Sequence, residues 1–203
     1  VYSQVVYRNT PFKKENETMS KGAPGNPVPM KVGDPSPIKY VFYLIKENRT
    51  YDQVLSDIPG GNGDTSLLLF GERITPNLHK IAKEFVLLDN FYCDGEVSAD
   101  GHSWSMGAYA TDFLEKTWPT NYGGRGGGYQ GGGARKTANN KRYIWEQCKK
   151  KEVSYRTYGE FTDARTASIP VLEKHFCPYY TGWNMEVKDT TRFYQWKKEF
   201  DSL

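Results

Sequence analysis

Apolar residues 41–45, VFYLI, stand out from a polar start to the chain and break off at Glu47-Asn48. A run this short, rich in β-branched and aromatic residues, cannot cross a membrane and predicts a strand over 39–46 buried on both faces. Leu78, Ile81, Ala82 and Phe85 then recur at helical spacing behind Thr75-Pro76. That pattern predicts a helix with Thr75 as cap, Pro76 at its first position and those four residues on its inner face. FVLLDNFY, at 85–92, predicts a second buried strand. Strand, helix, strand is the parallel crossover unit. A short helix from Arg49, stopped by PGGNGD at 59–64, fills part of the crossover. Downstream, the pattern predicts a helix over 98–112, a loop over 116–141, a helix over 142–151 and a strand over 153–158. A terminal helix over 191–203 is expected to turn Phe193, Trp196 and Phe200 inward. Before all this, residues 1–37 are rich in Pro and Gly and read as a linker, with a loosely alternating strand remnant at 1–7 from a preceding domain. Residues 38–203 form the α/β domain of this reading.

Composition changes the picture little. At 203 residues the chain can bury one α/β core. A net charge of +3 creates no demand for nucleic acid or an anionic membrane, so nucleic acid binding is not expected. Aromatic residues make up 15%, enough to line a wet cleft, which suits a secreted or envelope carbohydrate or phosphoester enzyme as well as a binding protein. Cys93, Cys148 and Cys177 lack zinc-type spacing and read as free structural thiols. Val1 is no initiator and opens no signal-like stretch, so the chain reads as part of something longer.

The candidate chemistry lies at two strand ends. In open α/β sheets ligands bind beyond the carboxyl ends of the strands, and a right-handed crossover brings the turns after 39–46 and 85–92 to the same rim. The first turn carries Glu47 and Asn48; the second, CDGEVSADGH, carries Ser98 at a helix N-terminus, where backbone N–H groups and the dipole favour phosphate. A serine nucleophile needs a base or a metal, and Asp94, Glu96, Asp100 and His102 surround this one. Hard oxygen ligands suit a divalent cation. Plainer alternatives stand beside this: Asn48 capping a strand end with Glu47 solvated, and Ser98 as an ordinary helix cap. Paired acids of a glycosidase, Asp94 and Glu96, form a third reading, but two acids in one turn do not establish opposed geometry. His79 is assigned to the polar surface of its helix and His175 to a structural place. The glycine-rich loop lacks phosphate-loop spacing and reads as a flap, with Arg125 as its phosphate contact.

The pieces IKENRTYDQV, GNGD, the long stretch from LFGERITPN to FLEKTWP, and YGGRGG together resemble the bacterial phosphoesterase family of phospholipase C and acid phosphatase type. That family belongs to the alkaline-phosphatase-like superfamily, and the resemblance is to the branch in which the domain follows a β-propeller. It is strong over 38–125 and looser beyond. It implies a three-layer α/β/α sandwich with a mostly parallel sheet, of which this chain holds an N-terminal part, and a metal-activated Ser or Thr that forms a phosphoenzyme from a phosphate ester substrate. By resemblance, Glu47, Asn48 and Ser98 are metal-site residues, Ser98 is the nucleophile, His102 completes its motif, and Thr50 is a nearby hydroxyl or rival nucleophile. The cofactor implied is a divalent ion, whether zinc, calcium, magnesium or manganese, and the location periplasmic, cell-surface or secreted. Further Asp and His ligands that relatives supply late in the domain have no counterpart between Gly126 and Leu203, so they are expected beyond Leu203 and the isolated chain is expected to be inactive. A non-catalytic surface or binding protein on the same fold is the alternative.

Overall fold

The computed structural model describes residues 2–9, 25–30, 33–126, 143–163 and 165–202. The chain divides into Val1–Glu47 and Asn48–Leu203. In the first unit, helix α1 (Tyr2–Asn9) replaces the strand remnant expected at 1–7. A helix satisfies its own backbone groups, whereas a strand requires a neighbouring edge. Further on, Ser36 Oγ donates to the Pro27 carbonyl at 2.7 Å and accepts the Ile38 N–H at 3.1 Å, closing a turn. Residues 39–46 join no ladder among the described residues, and Val41 and Leu44 are 82% and 75% exposed. The buried strand expected here is therefore not formed. An apolar run encodes a need for burial, but the pairing edge has to come from elsewhere in the fold.

The second unit opens with α2 (Tyr51–Leu55), and Thr50 is its cap: the Thr50 hydroxyl accepts the Gln53 N–H, and Gln53 Oε1 returns to the Thr50 N–H. This capping box fixes the Thr50 hydroxyl at the start of α2. Asp52 ties the GNGD segment down by accepting the Asp64 N–H at 2.7 Å, and Asp64 caps a 3-10 turn at Thr65–Leu67. Helix α3 (Pro76–Glu84) starts at the expected Thr75-Pro76, yet its buried residue is His79, while Ile81 and Phe85 are exposed. Residues 85–92 bend at Phe85, turn at Asp89-Asn90 and join no ladder among the described residues, and Val86, Leu88 and Phe91 are exposed, so the second expected strand is not formed either.

Two helices, α4 (Ser98–Gly107) and α5 (Asp112–Tyr122), take the place of the single one expected over 98–112. Ala108 turns left-handed (φ 49°), and the Thr111 hydroxyl caps α5 by accepting the Leu114 N–H. The two helices enclose a core of Ala99, Ala110 and Leu114, packed by Val97, Trp104 and Trp118. Helix α6 (Ile144–Lys150) falls within the expected 142–151. Residues 153–158 contribute only a parallel bridge from Thr157 to Phe176 instead of a strand, and Val153 is exposed. Strands β1 (Thr162–Asp163) and β2 (Thr166–Ala167) pair antiparallel in a hairpin, the one ladder among the described residues. Helix α7 (Asp189–Phe200) forms where expected, but Phe193 and Phe200 are exposed and stack on Trp196 at 5.7 and 4.9 Å. Its buried residue is Glu199. Among the described residues, no helix is long and apolar enough to cross a membrane. Cys93, Cys148 and Cys177 are free thiols, as expected.

His79 is the clearest reversal, since it is fully buried and not on a surface. Its Nδ1 lies 2.9 Å from the Thr75 carbonyl and its Nε2 lies 2.7 Å from Asp57 Oδ1. Acceptors face both ring nitrogens and so favour the charged imidazole, with the Thr75 hydroxyl also 3.1 Å from Nδ1. Burial works against that charge, but the Asp57 and Thr75 bonds outweigh it and raise the His79 pKa, with Glu72 adding to them. Asp57 moves down, chiefly through its bond to His79 and also through the Glu72 N–H. The raised His79 pKa contributes stability that is present below the usual histidine pKa and lost as pH rises through the folded value. The lowered Asp57 pKa contributes stability that is lost as pH falls through its own folded value. Amide exchange over residues 57–84 should therefore be slowest between the two values and quicken on either side. His79→Ala should flatten the alkaline side and cost about 1–3 kcal/mol in denaturant unfolding.

Candidate active site

The turn into α4 is organised by Asp100, whose carboxylate is fully buried. It accepts the Glu96 N–H at 3.0 Å and the Val97 N–H at 2.9 Å, folding DGEVSADG back on the helix start. Gly95 passes directly over Gly101, where a Cβ would lie 2.7 Å from the Gly101 backbone. The spacing of the two glycines and the aspartate in the motif is thus a packing requirement. Ser98 is the first residue of the ten-residue helix, and His102 follows one turn later on the same face.

Helix α5 reaches this point from the side. The Tyr122 hydroxyl oxygen accepts the Ala99 N–H at 3.2 Å, so the end of α5 adjoins the start of α4. Arg125 lies exposed just past that end, its N–H on the Thr120 carbonyl. The backbone N–H groups of Glu96 and Val97 are engaged by Asp100, and that of Ala99 by the Tyr122 hydroxyl. The surroundings are acidic. Partial burial first, and then the charges of Asp100 and Glu96, raise the Glu115 pKa, with the Trp118 and Trp104 side chains pulling the other way. Such a field favours a cation over a bare anion.

A residue with no signal in the sequence reading completes the surroundings of His102. His102 Nδ1 lies 2.8 Å from Glu160 Oε1, across a sequence separation of 58. Glu160 sits in a tight turn between Gly159 (φ 92°), where a Cβ would strike the Tyr180 ring, and Phe161 (φ 56°). Its carbonyl accepts the Thr157 hydroxyl at 2.9 Å. Phe161 is buried against Tyr143 and Trp145, at ring separations of 4.7 and 5.4 Å. Burial pushes the Tyr143 phenol up to about 12. In the sequence, Gly159 marks the turn, but nothing names His102 as the partner.

Glu47 belongs to the first unit and Asn48 and Ser98 to the second, and both Glu47 and Asn48 are exposed just after residues 39–46. Asp94 and Glu96 are exposed as well. His175 stacks on Tyr155 at 4.3 Å, and its carbonyl accepts the Thr157 N–H, a packing place of the kind expected. The expected flap beyond Gly126 lies outside the described residues. Among the described residues, no group of three or more His, Cys, Asp or Glu side chains gathers as a metal site. The oxygens of Glu47, Asn48 and Ser98 fit a hard divalent cation in type, though they number fewer than the six or more ligands such ions take. Comparison of the chain with protein-family models, with curated proteins and with solved structures gives no match.

Proposed function

We propose that this chain carries a phosphoric ester hydrolase domain of alkaline-phosphatase-like α/β/α build, with Ser98 as its nucleophile. The observation that carries the reading is the start of α4: a serine opens the helix, a histidine follows one turn later, and the buried Asp100 carboxylate from between them locks the turn that leads into the helix. Ser98 Oγ attacks phosphorus in line and loses its proton, and the ester oxygen leaves as an alcohol. Water then cleaves the phosphoserine, releasing phosphate and restoring the hydroxyl. Arg125, at the end of α5 that adjoins Ser98, is the guanidinium for the substrate's phosphoryl oxygens. Glu47, Asn48 and Ser98 are the oxygen donors for a divalent ion, which when bound would lower the serine pKa and screen the acidic surroundings. The domain follows a β-propeller in the full-length protein and works in the periplasm, at the cell surface or outside the cell.

The test is hydrolysis of p-nitrophenyl phosphate by the full-length protein across zinc, calcium, magnesium and manganese. Ser98→Ala should lower turnover to background. Undiminished activity in that variant would contradict the assignment. A non-catalytic binding role draws on a separate observation, the exposed rings of Phe193 and Phe200 on α7. No turnover by the wild-type protein with any of the metals would favour it.

A further inference from the structure

The side chains of His102 and Glu160 are each about one-fifth exposed, at 21% and 20%, so their bond is partly shielded from competing water. A carboxylate accepts and does not donate, so the His102 nitrogen facing it carries a proton. We propose that Glu160 is a positioning residue for His102, holding the proton on Nδ1 so that the neutral ring offers Nε2 as its basic nitrogen. Which imidazole nitrogen is basic is set by the bond the other one makes.

The local backbone supports a dedicated placement. Gly159 and Phe161 flank Glu160 in left-handed conformations, and for a ring as large as Phe161 that conformation is strained. It persists because Phe161 is buried against Tyr143 and Trp145, and because the Thr157 hydroxyl fixes the Glu160 carbonyl. Backbone strain held in place by its surroundings is a feature of working sites. On the α6 side, Tyr143 feels the charges of both Glu146 and Glu160.

The consequence for chemistry rests on the phosphoesterase reading; the tautomer does not. As Ser98 Oγ bonds to phosphorus, Nε2 takes the hydroxyl proton, and the imidazolium is stabilised by Nδ1–H donation to Glu160. The ester oxygen, leaving on the opposite side of phosphorus, takes its proton from water, and His102 returns to neutral by giving its proton to solvent. Glu160 itself neither gains nor loses one.

Long-range proton–nitrogen correlation spectra of the full-length protein, recorded well above the usual histidine pKa, decide the tautomer, with His102→Gln assigning the signal. The wild-type protein should show the proton on Nδ1 of His102. Glu160→Gln, which keeps an acceptor, should preserve it, and Glu160→Ala should move it to Nε2. On p-nitrophenyl phosphate, Glu160→Ala should lower kcat about 10-fold or more with little change in KM, and Glu160→Gln should fall between. A wild-type proton on Nε2 overturns the proposal, as does a tautomer that Glu160→Ala leaves unchanged. Should Glu160→Ala fail to fold, the wild-type and Glu160→Gln spectra suffice. A correct tautomer in a protein that turns over no ester would defeat the hydrolase reading and leave the role of Glu160 standing.

Discussion

Replacing Glu199 with alanine is expected to destabilise the unit Asn48–Leu203 by about 3–5 kcal/mol, the cost of breaking a buried ion pair from one side. Glu199 is 7% exposed on α7 and faces Arg156, which donates to it through both Nε and Nη2. The guanidinium also donates through Nη1 to the Lys174 carbonyl at 3.0 Å, so one side chain joins α7 to the segment before Cys177. Burial alone would raise the Glu199 pKa, but the Arg156 and Tyr158 side chains outweigh it and the net shift is downward. Burial first, and then Glu199, push the Tyr158 phenol upward. Alanine in place of Glu199 would strand a half-buried guanidinium, whereas Arg156→Ala with Glu199→Ala removes both charges. The double variant should therefore lose less than the sum of the singles in denaturant unfolding. Because the Glu199 pKa is lowered on folding, its contribution is present above the usual glutamate pKa and is lost as pH falls through the folded value. A loss in the double variant equal to the sum of the two single losses would show that the pair is not coupled.

Asp100→Ala is expected to cost about 2–4 kcal/mol, because it removes a fully buried carboxylate that accepts the backbone N–H groups of both Glu96 and Val97. The loss should be local before it is global. Amide protons of Glu96 and Val97 should exchange faster well below the unfolding midpoint, while those of α7 stay protected. Asp100→Asn should recover only part of the loss, since its NH₂ group faces donors where a second acceptor is needed. In the full-length protein the same change should lower turnover without touching substrate, because Ser98 sits inside the turn that Asp100 closes. A stability loss with unchanged exchange at Glu96 and Val97 would remove Asp100 from this role.

Local chemistry was legible in the sequence wherever the interacting groups are near in the chain. Thr75-Pro76 starts α3, α2 ends before PGGNGD, and α6 and α7 form close to their expected places. Ser98 at a helix start and His102 one turn later were also readable, because helical spacing is a local geometry. Tertiary structure alone decided which apolar segments find cover. Residues 39–46 and 85–92 carry strand sequences yet remain unpaired among the described residues, since a strand's stability lies in a partner edge that its own residues cannot specify. The same holds for polar groups. His79 meets Asp57, Glu160 meets His102 and Glu199 meets Arg156 across separations of 22, 58 and 43 residues, and no spacing rule reaches that far. Burial of those charges is tolerable only once the partner is in place, so the fold and not the sequence pattern determines which acid or histidine is a surface group and which is a working one.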